Sequence, residues 1–446
     1  MSLITSDDNY NAETRYLEQK AIIHFSGISP LEITRDNYLV GTSVLGEAYS
    51  SSGSTPFGGV TSNECDIDIY NEDGIFSPTN ASSPYYKKMK EGVKVEIFIR
   101  PKVDDEDEEQ YKWDPMGVYY IKDWYTDSNG LLASITAYDI LYTILNGAIP
   151  AMPVFRNISF ITFMRLYFSY FGQEVIIDES LDFEIPYVYA SEHGSNKEFL
   201  AELLHGALAD CFCNNEGKIC IVSKTGTVQK RATLTDQDQI ISIKIKQSLN
   251  NGYDSVSVSY IHGQESIEQS LLSLKDLTLQ SGLTEIDKMT LTTSPALSIR
   301  SITVTGESSA KVVTFNANAK EFTSRIQSSA DMNAELNVIG TALETVKFTI
   351  GTPIERPLAI NSRFIQDDAR AKKVLQYTEA YVKADMPILE MTIRGNPRFE
   401  IGDILEVSST RYKLNYIGTL IEAKYEYKGN LTCQIVLADA SMLREV

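Results

Sequence analysis

A mostly β, α+β fold is what the sequence predicts, and three observations predict it. From Ala21 to about Tyr142, and again near the C-terminus, apolar and polar residues alternate at period two. The period changes to three and four in only a few stretches. Runs dense in Gly, Pro, Asn and Ser punctuate the alternating segments, as sheet connections do. The 446 residues suggest about three domains, and 43% hydrophobic against 22% charged residues can build packed cores rather than disorder or a coiled-coil rod.

The first alternating segments set the expected first β domain, residues 1–145. Cys65, Ile67 and Ile69 alternate with Asp66, Asp68 and Tyr70, and Val93, Val95, Ile97 and Ile99 with Lys94, Glu96 and Phe98. Between them lies the long connection Asn71 to Gly92. Gly117 to Trp124 and Leu131 to Ala137 read as a strand pair turning at Asp127-Ser128-Asn129-Gly130.

The period then changes, over an expected α+β domain at 146–237. In Asn157 to Gly172, Phe160, Phe163, Met164, Tyr167, Phe168 and Phe171 give a helix an aromatic face, which at this spacing is core more often than a ligand pocket. Ser195-Asn196-Lys197-Glu198 is a capping box opening a second helix with Phe199, Leu200, Leu203, Leu204, Ala207 and Leu208 as its stripe. Asn214-Asn215-Glu216-Gly217 is a hairpin turn leading into a strand from Lys218 to Val222.

β character returns in 238–279, where Ile241, Ile243 and Ile245 alternate with Ser242, Lys244 and Lys246, and Val256, Val258 and Tyr260 with serines. A short helix is expected from Ser266 to Leu277. Residues 280–350 are rich in Ser and Thr; low-complexity linker is one reading, but the β-branched pieces Ile302 to Thr305, Val312 to Phe315 and Glu335 to Ile339 argue for a small sheet. The last stretch, 351–446, carries a helix from Asp367 to Ala384 and a final hairpin, Leu420 to Tyr427 and Leu431 to Leu437, turning at Lys428-Gly429-Asn430.

The chemical inventory is thin. Common nucleotide-binding, zinc-protease, CxxC and nucleophile-elbow signatures are missing, and the four histidines (His24, His193, His205, His262) sit in no recognisable constellation. Cys211-x-Cys213 with Cys220, completed by His205, is the best zinc candidate, but its spacing fits poorly and buried core thiols are the simpler reading. Five cysteines (Cys65, Cys211, Cys213, Cys220, Cys433) are too few for a disulfide framework. The run Asp104-Asp105-Glu106-Asp107-Glu108-Glu109 lacks calcium-loop spacing and reads as a solvated loop. Among 60 acids, no glycosidase carboxylate pair can be singled out. The sequence therefore offers no catalytic, cofactor-binding or metal residues, and a non-enzyme is expected.

The net charge of −20 disfavours tight nonspecific DNA binding through basic patches. The start, MSLITSDDNYNAET, has neither a basic leader nor an apolar run, and no apolar run approaches the ~20 residues that span a bilayer. A protein without a membrane segment, made and folded in a cytoplasm, is expected.

The run NECDIDIYNEDGIFSPTNASSPYY, then AYDILYTIL, FLAELLHGALADCFCNNEGKICIVS and RGNPRFEIGDILEV, in this order, resembles the tail hub family of tailed phages and related contractile particles. The resemblance covers about Ala21 to Leu437. It implies two tube-like antiparallel β-barrel or sandwich domains, one at 1–145 and one shared between 238–279 and 351–446. The 146–237 unit and a small insert at 280–350 would interrupt them. Phe76, Ser77, Pro78, Pro84, Tyr85 and Tyr86 resemble the family's long connection, and Gly395, Asn396, Pro397, Gly402 and Asp403 its late turn, all in structural roles. The segment 280–350 departs most from the family pattern. Some relatives append a cell-wall-degrading domain; with the sequence reaching Val446 directly after the second β domain, none is expected here.

The function so implied is structural. A homotrimeric hub at the tail tip would adapt a sixfold tube to a threefold tip, and would line a channel for the tape-measure protein and for DNA that passes without specific binding. Its partners would be itself, the tail tube or distal tail protein, and tip spike or fibre proteins. Its location would be the virion tail, and its task would serve genome ejection. The alternative is a carbohydrate-binding receptor protein of the tail tip, and a less favoured one a cell-wall glycoside hydrolase.

Overall fold

The computed structural model describes residues 10, 15–47, 57–101, 112–190, 194–225, 230–236, 239–246, 253–352, 354–383 and 387–439. Seven antiparallel strands open the chain: β1 (Leu17–His24), β2 (Leu31–Thr34), β3 (Leu39–Glu47), β4 (Glu64–Tyr70), β5 (Lys94–Pro101), β6 (Asp114–Thr126) and β7 (Leu132–Tyr138). The period-two reading holds in detail. Cys65, Ile67 and Ile69 face a core shared with Val95, Ile97 and Ile99. On the other face Asp66 and Asp68 accept hydrogen bonds from Thr136 and Ser134 at 2.8 and 2.7 Å, so each outward carboxylate is satisfied across the ladder.

Next come α1 (Ile140–Asn146), β8 (Phe155–Ser159), α2 (Phe160–Ser169), β9 (Val175–Ile177), β10 (Glu184–Val188), α3 (Asn196–Ala207), β11 (Ala209–Cys213) and β12 (Ile219–Ser223). The aromatic face of α2 is core, with Phe160, Phe163, Met164, Tyr167 and Phe168 all buried. The Ser195 side chain accepts from the Glu198 N–H, and the Glu198 carboxylate reaches back to the Gly194 N–H at 3.0 Å, closing the helix start on both sides. Asn196, fully buried, ties the three helices together. Its amide donates to the carbonyls of Ile144, Gly147 and Ala148, and its oxygen accepts from Tyr167 Oη at 2.6 Å.

The remainder holds β13 (Lys230–Thr235), β14 (Ile240–Lys246), β15 (Ser255–Glu265), β16 (Gln269–Leu279), β17 (Gly282–Thr290), β18 (Ala296–Gly306), β19 (Ala310–Ala317), β20 (Glu321–Ser328), β21 (Met332–Gly351) and β22 (Pro357–Asn361). They are followed by α4 (Asp368–Lys383), β23 (Ile388–Arg394), β24 (Ile404–Ser409), β25 (Leu414–Tyr427) and β26 (Leu431–Asp439). β21 is the spine of one sheet, flanked by β16 and β18 along its first half and by β15 along its second, while β17, β20 and β19 form another. The helix expected from Ser266 to Leu277 is instead β16. Its ladder with β21 slips at Ser270/Leu272 and again at Leu274/Leu277, and these irregularities give the apolar residues a helix-like spacing.

One relationship organises the rest. β3, β4, β5, β6 and β7 lie in the sheet order β3-β4-β7-β6-β5, and β14, β23, β24, β25 and β26 lie in the order β14-β23-β26-β25-β24. The registers agree strand for strand. β4 meets β7 with Cys65 opposite Ala137, and β23 meets β26 with Leu389 opposite Leu437. The irregularities recur as well: β6 slips against β7 after Ile121 as β25 slips against β26 after Leu420, and β3 slips after Leu39 as β14 slips after Ile240. Even the turn bonds repeat, since Gly92 N–H donates to Ile121 O as Gly402 N–H does to Leu420 O, both glycines having positive φ. The chain thus contains two copies of one five-stranded unit, and β3 pairs with β25 to join them into a single 13-stranded sheet.

Candidate functional site

The seam between the two units is built from backbone pairing and buried side-chain hydrogen bonds. β25 runs past the end of β24, and its exposed length takes β3, with Val44 opposite Tyr425 and Gly46 opposite Ala423. Gly41 lies at the tightest approach: a Cβ there would sit 2.8 Å from the Tyr427 carbonyl oxygen. Tyr425 is buried in the seam, and its hydroxyl reaches the carbonyls of Asn396 and Phe399 at 3.0 and 3.1 Å. Tyr427 Oη donates to Leu17 O at 2.9 Å. The Arg15 guanidinium donates to Gly395 O and Leu431 O, both at 2.7 Å, so the start of the first unit is tied to two turns of the second. Burial lowers that guanidinium to about 10.

Each unit carries a connection, β4–β5 in the first and β23–β24 in the second, built around buried polar and aromatic residues. Phe76 is fully buried, stacks on Tyr85 with ring centroids 5.5 Å apart, and has its N–H held by Asn71 Oδ1 at 2.8 Å. In the second unit Asn396 is likewise fully buried and its Oδ1 accepts from the Arg398 N–H. Asp403 accepts from the Glu400 N–H at 2.9 Å and lies 3.7 Å from Arg231.

Two buried carboxyls are perturbed, Asp403 of the late turn and Asp139, which was not singled out in the sequence. Burial raises Asp139 to about 7, although it accepts backbone N–H bonds from Asn63 and Leu141 as the cap of α1; burial likewise raises Asp403 to about 7. Asp139 carries one signal, its place immediately before the apolar run of α1. Between pH ~4 and ~7 the folded chain holds protons on these groups that the unfolded chain has released, so stability falls as pH rises through that window. The guanidinium midpoint is therefore expected to fall from pH 5 to pH 8, and the Asp139→Asn, Asp403→Asn double variant to flatten the fall. Glu390 and Glu406, held low by lysine hydrogen bonds, act only below this window. Asp210 and Glu400, also raised by burial, keep part of the slope in the double variant; a slope that the double variant leaves unchanged would contradict the assignment.

The zinc candidate is not assembled. In the β11–β12 ladder Cys220 lies opposite Phe212, so it occupies the face away from Cys211 and Cys213. Burial raises all three thiols, Cys220 to about 11, which leaves no thiolate for metal or nucleophilic chemistry near neutral pH. His205 packs edge-on against Phe57 at 5.8 Å, and burial lowers its pKa. His24 and His262 pair with Glu96 and Asp368. His193 and the acidic run 104–109 lie outside the described residues. Among the described residues no cluster of three or more His, Cys, Asp or Glu is arranged to hold a metal, and no helix is long and apolar enough to cross a membrane.

No protein-family model and no curated protein sequence matches the chain. Solved structures do match. The 43 kDa tail protein of prophage MuSo2 from Shewanella oneidensis aligns over 95% of this chain and 99% of its own, with a TM-score of 0.53 and 10% identity. A tail protein from Neisseria meningitidis aligns over 95% and 98%, with a TM-score of 0.55 and 10% identity. The fold is that of prophage tail proteins. At such identity the likeness is one of architecture; in this chain the seam is formed by backbone pairing, which depends little on side-chain identity.

Proposed function

We propose that the chain is a structural, non-enzymatic tail hub, a homotrimer that continues the tail tube at its tip. The observation that carries this reading is the internal repeat. One chain holding two equivalent five-stranded units, already joined edge to edge, gives three copies six such units and so matches a sixfold tube to a threefold tip. The shared architecture with two prophage tail proteins supports a place in the tail. A ring closed in this way removes sheet edges that would otherwise invite aggregation. Its lumen would pass tape-measure protein and DNA, and the charge of −20 suits a wall that phosphate does not adhere to. Tube or distal tail proteins would dock on one side of the ring and spike or fibre proteins on the other.

Cryo-EM of the parent particle tests the proposal. The expected density is three copies ringing the tube end, each contributing two similar β units to one ring. Copies on peripheral fibres would overturn it.

A further inference from the structure

We infer that β14 of one copy pairs antiparallel with the end of β6 in the next copy, in the register that β3 and β25 use within the chain. The inference rests on the hub reading for the presence of neighbouring copies, and on the repeat for everything else. In the second unit β24 covers only the first part of β25, and β3 takes Glu422 to Tyr427 on the same edge. In the first unit β5 likewise covers β6 only as far as Tyr120, with a last bond at Ile121. Beyond it, Asp123 to Thr126 pair with β7 alone among the described residues. The same asymmetry holds for the other partner. β3 is paired on both edges, by β4 and by β25, whereas among the described residues its counterpart β14 is paired on one, by β23. The chain therefore carries one filled seam and the two halves of an unfilled one.

Burial agrees with this count. Val44, opposite Tyr425 in the filled seam, is 6% exposed, while Ile245, its counterpart in β14, is 52% exposed. Tyr125, on the unfilled stretch of β6, is 55% exposed. Two edges left without a strand partner among the described residues, one bearing Ile245 and the other Tyr125, are pairing surfaces by their chemistry.

The equivalences fix the register. Val44 corresponds to Ile245 and Tyr425 to Thr126, so Ile245 meets Thr126 of the partner subunit. The neighbouring positions then set Lys244 against Asp127 of the partner subunit and Lys246 against Tyr125 of the partner subunit. Opposite charge and a cation facing an aromatic ring are favourable cross-strand pairs, which the sequence supplies at the two positions where they are needed. β-strand addition of this kind draws affinity from main-chain bonds and specificity from such pairs.

The test mixes two full-length variants, Ile245→Cys and Thr126→Cys, under mild oxidation. A disulfide-linked dimer that forms in the mixture, and in neither variant alone, is the expected result; the five native cysteines are all buried and do not compete. Ile245→Cys mixed with Tyr125→Cys, one residue out of register and on the opposite face, should give none. As a second measurement, Lys244→Glu should weaken self-association in sedimentation and Asp127→Lys should restore it in the double variant; because Asp127 also accepts the Leu132 N–H and Lys244 also pairs with Glu390, restoration in the double variant, not the loss in either single one, is the reading. No dimer where the unaltered chain associates would overturn the strand pairing and leave the hub reading standing. A chain monomeric at its highest soluble concentration, with no cross-link, would overturn the self-complementary edges, and the particle images would still decide the hub separately. A cross-link together with copies imaged away from the tube end would keep the pairing and remove the hub.

Discussion

Replacing Tyr425 with Ala is expected to destabilise the protein by about 3–5 kcal/mol, the range for removing a large buried aromatic side chain. The ring is 6% exposed, lies opposite Val44 in the seam, and carries a hydroxyl satisfied by the carbonyls of Asn396 and Phe399. Truncation opens a cavity where the two units meet and removes the bond that holds the β23–β24 connection against β25. Tyr425→Phe should cost only about 1 kcal/mol, because it keeps the packing and loses one hydrogen bond. The nearby control is Tyr125→Ala: this side chain is 55% exposed in the single chain, so the effect should stay within about 0.5 kcal/mol. Guanidinium unfolding gives the three values. Amide exchange gives their location, since Tyr425→Ala should accelerate exchange in 42–47 and 422–427 before the rest of the sheet. Equal losses from Tyr425→Ala and Tyr125→Ala would show that the seam is not where the stability resides.

What could be read from the sequence follows from how local each cause is. Cys65 to Ile69 and Val93 to Ile99 were legible because one buried face imposes period two on its own strand. The α3 start was legible because a cap is a contact within four residues. The β16 strand was misread as a helix because two ladder irregularities, each an extra residue in β16, displace its leucines from alternation, and they show only in the pairing with β21, some sixty residues away. The repeat was hidden for a different reason. Its equivalent positions share little beyond apolar character, as in Cys65 with Leu389 or Ile67 with Met391. Its connections also differ in length, and the β15 to β22 sheets and α4 stand between β14 and β23. The seam joins residues about 380 apart by backbone pairing, which leaves no local trace. Ile245 shows the limit from the other side: its alternation marks a buried face, and the single chain leaves that face exposed.

Asn196 carries the second large expectation, and it shows how a polar residue can decide a core. Asn196→Leu should cost about 3–5 kcal/mol although it adds apolar volume to an apolar region, because the cost lies in the groups left behind. The Asn196 amide spreads its two N–H groups over the carbonyls of Ile144, Gly147 and Ala148, where α1 ends, and its oxygen is the acceptor for Tyr167 Oη from α2. A leucine would leave the Tyr167 hydroxyl buried without its acceptor and would strip the Asn196 donors from the Gly147 and Ala148 carbonyls, while the Ile144 carbonyl would keep only the Gly147 N–H; each group left without a partner costs about 1–3 kcal/mol. Asn196→Asp should be no rescue, since it sets a carboxylate against three carbonyl oxygens in a buried site. Adding Tyr167→Phe to Asn196→Leu should recover part of the loss, because the orphaned hydroxyl is then gone; this non-additivity in a double-mutant cycle separates lost hydrogen bonding from overpacking. Strictly additive costs would assign the effect to leucine's shape and remove Asn196 from its place as the tie among α1, α2 and α3.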